Sequence, residues 1–138
     1  MNRRFLLLAV LAALALPGCD GTPTQLEGGT QVFEGTVETL GSNSHLFTVT
    51  TTGGVQINVL SVTAEPEIEV GTPNLGLGIG EPNDDGVCAT TFRTTAATGT
   101  IANLGLEERT YCVTLFDNGT MAEDALRHYE VQVNATAS

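Results

Sequence analysis

The chain contains no tryptophan and no lysine, and its 5 basic residues face 16 acidic ones, for a formal net charge of -11. Nucleic-acid phosphates are bound mainly by basic side chains, so this imbalance excludes a DNA- or RNA-binding function. Arg3 and Arg4 lie at the N-terminus; without that segment, three arginines and all 16 acids remain, a net charge of -13. Such a surface favours cationic partners or divalent ions.

Aromatic residues are also scarce, at 5% of the chain. Sugar rings commonly stack on exposed aromatic side chains. Tyr111 and Tyr129 are in phase with predicted core residues, so Phe92 and Phe116, which are out of phase with their neighbours, are the candidate exposed rings. Carbohydrate binding is therefore kept as an alternative function.

No apolar run is long enough to span a membrane as a helix. Residues 5–16 form an apolar run of 12 residues, whereas a transmembrane helix needs about 20. Because the run follows Arg3 and Arg4 directly, its layout is typical of a helical secretion signal.

Residues 16–19, Leu-Pro-Gly-Cys, resemble the lipobox of bacterial lipoproteins. The resemblance implies cleavage between Gly18 and Cys19 and acyl chains on Cys19, which anchor the protein to a membrane of the cell envelope. Asp20 implies the inner membrane, facing the periplasm, in lineages that follow the aspartate retention rule, and otherwise the outer membrane. We expect a signal peptide at 1–18, a flexible tether at 19–30 and one domain at 31–138.

Two cysteines, Cys88 and Cys112, remain for the domain. No histidine lies near either one, which argues against a zinc site, and neither has a basic neighbour that would activate a thiol. In the oxidising compartment beyond the inner membrane, the two are predicted to form a structural disulfide.

From residue 31 onward, apolar and polar residues alternate with period two in short runs separated by turn signals. One of these turns is predicted at Gly41-Ser42-Asn43, whereas residues 120–127 fit a loop or a single helical turn. The pattern predicts an all-β fold: an antiparallel two-sheet sandwich, jelly-roll-like, with eight to nine short strands.

The most unusual run is residues 75–80, Leu-Gly-Leu-Gly-Ile-Gly. Glycine within a strand marks a bend or the close approach of another segment. We interpret the run as a curved strand with a bare outer face, with coverage by a neighbouring segment as the alternative.

Most of the region after residue 31 is similar to the bacterial pre-peptidase C-terminal domain. The resemblance depends largely on turn glycines and apolar positions. The matching residues are Phe33, Gly35, Val37, Phe47, Val49, Gly54, Ile57, Val59, the leucine-rich run at 73–80, Thr110, Tyr111, Cys112, Val113, Asp117, Gly119, Tyr129, Val131 and Val133. The resemblance implies a small jelly-roll-like β-sandwich of the kind that accompanies secreted enzymes. These positions specify a fold rather than a function.

One loop is rich in oxygen ligands. Glu81, Asn83, Asp84 and Asp85 lie close together in sequence, and Asp117 could join them from another loop to hold Ca²⁺. The alternative is an ordinary acidic turn that binds no metal.

Two histidines, His45 and His128, are the candidates for catalysis. No nucleophile elbow or metalloprotease motif accompanies them, so we expect both to be solvated surface residues. The leading interpretation is a lipid-anchored, non-catalytic envelope domain that requires no cofactor and contacts a protein partner or a divalent cation. The alternatives are a calcium-stabilised adhesion or carbohydrate-binding module and a small hydrolase or peptidase-associated protein.

Overall fold

A computed structural model describes residues 24–26, 29–65 and 71–136 of the chain. These residues form nine β-strands and no helix, which confirms the predicted fold class. The strands are β1 (Thr24–Leu26), β2 (Thr30–Glu38), β3 (Ser42–Val49), β4 (Gly53–Glu65), β5 (Asn74–Pro82), β6 (Cys88–Ala97), β7 (Ile101–Leu106), β8 (Arg109–Phe116) and β9 (Leu126–Thr136).

The strands form two sheets that pack into a sandwich. One has the order β1-β3-β8-β5-β6 and the other β2-β9-β4-β7. All neighbours are antiparallel except β1, which pairs with β3 in parallel. The first long strand pairs with the last, β2 with β9, and the second pairs with the one before it, β3 with β8. This nested order is that of a jelly roll.

Alternation along each strand places one apolar face of each sheet in a shared core. Phe47 of β3 stacks on Tyr111 of β8, with ring centroids 5.9 Å apart. The largest fully buried side chains come from both sheets; they are Phe47, Ile57, Leu75, Leu77, Ile79, Leu115, Val37, Val49, Val55, Val59, Val113 and Val131.

The outer face of β5 is covered, so the prediction of a bare face was wrong. A side chain at Gly76 would meet the ring of Phe116, and one at Gly78 would meet Thr90. The glycines leave room for side chains from β8 and β6 to lie across the strand. Coverage by neighbouring segments, the alternative interpretation, describes this strand.

A disulfide joins Cys88 of β6 to Cys112 of β8, as the sequence predicts. It spans β5, which lies between those strands in the sheet. A β-bulge after Ile79 shifts the register, and the backbone of Ala89 then passes directly over Gly80. The start of β6 therefore lies against the outer face of β5, and Cys112, to which it is bonded, is fully buried.

Residues 1–23 lie outside the described part of the chain, and with them the predicted signal peptide, Gly18, Cys19 and Asp20. The predicted tether, 19–30, is described only in part, and there it differs from the expectation: Thr24–Leu26 pair with β3, and Thr30 begins β2. Within the described residues, no helix is long and apolar enough to cross a membrane. Residues 120–125 form a loop, and β9 begins at Leu126.

Candidate interaction surface

The turn between β2 and β3 presents an apolar side chain to solvent. The amide of Gly41 donates to the carbonyl oxygen of Glu38 at 2.8 Å, so Leu40 occupies the third position of a β-turn. Leu40 has φ 61° and is 90% exposed. Glycine or asparagine normally occupies such a position, and a left-handed backbone costs a residue such as leucine about 1–2 kcal/mol. The turn thus carries strain without any gain in burial.

Asp117, which follows β8, holds this turn in place. Its carboxylate accepts hydrogen bonds from the amides of Leu40 at 2.9 Å, Gly119 at 2.8 Å and Met121 at 3.3 Å. Its own amide donates to the carbonyl of Gly41 at 3.0 Å. Burial acts to raise the pKa of Asp117, but the amide donors outweigh it and the pKa lies below the usual value.

Thr39 ties the same turn to the loop between β8 and β9. Its hydroxyl donates to the carbonyl oxygen of Ala122 at 2.6 Å and accepts from the amide of Ala125 at 3.3 Å. That loop contains Asp124 with φ 58°, and Leu40 and Asp124 are the two non-glycine residues with positive φ in the described part of the chain. We call residues 38–41 and 117–126 the turn cluster.

The turn cluster carries acidic side chains. Glu38, Glu123 and Asp124 are exposed. A depression of about 360 Å³ lies between Glu38 and Asp124, with Leu126 in its lining. The exposed side chain of Leu40 and this hollow, as we call the depression below, therefore belong to the same acidic turn cluster.

The outer face of the four-stranded sheet continues this acidic surface along β2. Glu34 of β2 lies directly opposite Glu130 of β9. Together with Thr36, Ser61 and His128, they line a shallow depression of about 410 Å³. Like charges placed opposite each other destabilise a sheet. Among the described residues, neither carboxylate has an ion-pair or hydrogen-bond partner.

His128 lies on this outer face and is exposed, as the sequence predicts. Its Nε2 lies 2.8 Å from a carboxylate oxygen of Glu65. In the described contacts no hydroxyl joins this pair, so the structure does not assemble a nucleophile, base and acid around His128.

His45 is not a solvated surface residue; that prediction was wrong. It is in phase with Phe47 and points into the sandwich, where its ring stacks on Phe33 at 4.8 Å between centroids. Its Nε2 shares a hydrogen bond of 2.6 Å with the hydroxyl of Tyr129, a residue only 3% exposed. Burial raises the pKa of Tyr129 and lowers that of His45. The hydroxyl therefore stays protonated at neutral pH and can donate to a neutral imidazole.

Burial of neutral His45 makes stability depend on pH. Its pKa in the folded state lies below the 6.5 of a free histidine, so protonation favours the unfolded chain. The stabilisation is complete above about pH 6.5 and is lost as the pH falls through the folded-state pKa. We expect the unfolding free energy to fall between about pH 7 and pH 5, and the fall to be smaller in His45→Gln. Urea titrations of the exposed control His128→Gln should retain the full fall.

The predicted calcium ligands do not all come together. Asp117 follows Phe116, which pairs with Gly76 at the start of β5, whereas the acidic turn follows the other end of that strand, at Pro82. Asp117 therefore lies at the opposite end of β5 from the other four predicted ligands.

Hydrogen bonds occupy part of the acidic turn itself. Glu81 forms an ion pair with Arg109 at 2.8 Å. The side-chain oxygen of Asn83 accepts from the amides of Asp85 and Val87, while Asp84 and Asp85 are exposed. No group of three His, Cys, Asp or Glu suited to a metal occurs in the described ranges. Calcium binding by residues 81–86 stays a prediction.

The aromatic rings are distributed differently from the expectation for a carbohydrate site. Tyr111 and Tyr129 are buried, as predicted. Phe92 packs against the core, and Phe116 lies over β5 with the guanidinium of Arg93 5.2 Å from its ring centroid. Both phenylalanines are thus partly buried, and Arg93 lies over the ring of Phe116.

Neither Leu40, nor the anchoring role of Asp117, nor the facing pair Glu34 and Glu130 was predicted from the sequence. A leucine directly before the turn glycine, Gly41, was the available signal for the first of these. The other two depend on pairing between distant strands, which the sequence does not display.

No protein-family model matches the chain, and no curated protein matches it by sequence. Among solved structures, the fold is similar to that of PliG from Aeromonas hydrophila, a periplasmic inhibitor of g-type lysozyme: TM-score 0.50, 11% identity, 80% of this chain and 95% of that chain covered. A protein of Bacillus endospore appendages, which form disulfide-linked pili, has TM-score 0.39 and 13% identity, with 88% and 98% covered. At such identities, the likeness to PliG shows a shared fold and no more.

Proposed function

We propose that the protein is a lipid-anchored, non-catalytic binding module of the bacterial cell envelope whose partner is a basic protein. The proposal rests on Glu34 and Glu130, which lie directly opposite each other on the neighbouring strands β2 and β9. Neither has a cationic partner among the described residues. The pairing disfavours the free protein and is relieved when a basic surface covers it. The net charge of -13 that remains without Arg3 and Arg4 (3 basic minus 16 acidic residues) acts in the same direction and steers basic proteins toward the module.

The lipobox resemblance supports the anchored location, and the resemblance to the pre-peptidase C-terminal domain supports the non-catalytic role. PliG offers a precedent for a periplasmic protein of this fold that acts on another protein. A g-type lysozyme is for that reason the first candidate partner to test.

Photocrosslinking in cells tests whether the partner is a basic protein. A photoreactive residue at Thr36, between Glu34 and Glu38 on the exposed face, is compared with one at Thr95, which is exposed on β6 of the other sheet. We expect position 36 to yield an adduct with a protein of net positive charge, whose affinity for the full-length chain falls as salt rises. Equal labelling from both positions, or an acidic partner, would refute the proposal.

Substitution of Cys19 tests the anchor. Cys19→Ser is expected to remove labelling by a palmitate analogue completely and to leave the uncleaved precursor, because the cysteine supplies the acylated sulfur. Asp20→Ser is the matched control: it should keep the label and change only the membrane in which the protein is found. Normal labelling of Cys19→Ser would disprove lipid attachment at this residue.

A further inference from the structure

Leu40 combines two features that disfavour the free protein. Its backbone lies in the left-handed region at φ 61°, and its apolar side chain is 90% exposed. Glycine or asparagine would form the same turn without the strain. A side chain this exposed contributes almost nothing to the core, so folding alone does not explain a leucine here.

The scaffold beneath Leu40 is well fixed. The amide of Leu40 itself donates to Asp117, and Asp117 donates back to Gly41. Thr39 is held between Ala122 and Ala125 of the facing loop. A side chain presented from such a turn loses little conformational entropy when a partner binds.

The surroundings define the chemistry of the partner. Glu38, Glu123 and Asp124 of the turn cluster are exposed, and the hollow between Glu38 and Asp124, which begins beside Leu40 at Thr39, has Leu126 in its lining. The apolar stem of an arginine or lysine fits a lined hollow of this kind while its charge reaches the carboxylates. An acidic rim repels the anionic surface of a bilayer, so the exposed leucine is poorly suited to membrane contact.

We propose that the turn cluster is the docking element of this protein, with Leu40 inserting into an apolar pocket of a basic protein partner whose arginine or lysine side chains meet Glu38 and Asp124. This inference rests on the proposed function and specifies the surface used. A single apolar anchor inside a charged rim is a common arrangement of an interface hot spot.

The proposal is tested in cells with three forms of the full-length chain: wild type, Leu40→Asn and Leu40→Met. Each form carries the photoreactive residue at position 36 in place of Thr36. We expect the adduct yield at limiting expression to fall about tenfold in Leu40→Asn and to be largely kept in Leu40→Met, which retains an apolar side chain. The melting temperature of Leu40→Asn should rise by a few degrees, because asparagine tolerates the left-handed backbone. A lost adduct with a raised melting temperature separates a binding role from a folding role.

The contrary outcomes are distinct. Equal adduct yields in wild type and Leu40→Asn would overturn the docking role and leave the proposed function standing. The absence of any adduct with a basic protein in the wild type would overturn the proposed function itself. A photoreactive residue at position 40 that labels lipid or a second copy of this chain, and no basic protein, would also overturn the inference.

Discussion

Replacement of both Cys88 and Cys112 by alanine is expected to lower the unfolding free energy by about 3 kcal/mol. The disulfide closes a loop with a sequence separation of 24 residues, and in the chain-entropy model a loop of that size contributes about 3 kcal/mol. For a domain of this size, the melting temperature should fall by about 10 °C or more. Urea denaturation and calorimetry of the full-length chain measure both quantities.

Reduction of the wild-type protein is the matched control, because it breaks the same bond without removing a side chain. Cys112 is fully buried, so alanine also leaves a small void, and the double variant should be slightly less stable than the reduced wild type. A melting temperature that reduction leaves unchanged would show that the crossing of β6 over β5 is held by other contacts.

Most of the strands were predictable because they have one buried and one exposed face, and a period of two follows directly from that arrangement. The disulfide was predictable because only two cysteines remained for the domain once Cys19 was assigned to the lipid. The fold class therefore followed from the local alternation of apolar and polar residues, and the disulfide followed from the number of cysteines.

Strand order and side-chain environment were less accessible from the sequence. The pairing of Thr30 with Asn134 joins the two ends of the domain, and no local pattern indicates it. His45 was expected at the surface because it lies at the edge of a predicted strand, but its position in phase with Phe47 turns it toward the sandwich, half-buried beside Tyr129. The period-two pattern determined its position more strongly than its polarity did.

Of the features of the candidate surface, only its negative charge was predictable from the sequence. The turn was expected at Gly41-Ser42-Asn43, whereas the hydrogen-bonded turn lies at residues 38–41, with Ser42 and Asn43 already in β3. Glycine adopts positive φ most readily, yet here it is Leu40, directly before Gly41, that has this conformation. A conformation that opposes residue preference follows from tertiary contacts, here those of Asp117.

Gly80→Ala is expected to lower the unfolding free energy by about 3 kcal/mol, the upper end of the usual range for overpacking. A Cβ at Gly80 would lie 1.9 Å from the carbonyl oxygen of Ala89 and 2.7 Å from the Cα of Thr90. Both are backbone atoms, so no side-chain rotation relieves the contact. Gly105→Ala is the matched control, because nothing lies within 4 Å of its Cβ position and its stability should change little.

The disulfide should amplify the effect of Gly80→Ala. Cys88 begins β6 and is covalently held to Cys112, so the chain above Gly80 cannot lift away from the added methyl group. Without the disulfide, the start of β6 can move outward, and the same substitution should cost about 1 kcal/mol less. A double-mutant cycle in urea measures this coupling. Strict additivity would show that the added methyl group is accommodated by β5 itself, and not by movement of the strand that crosses it.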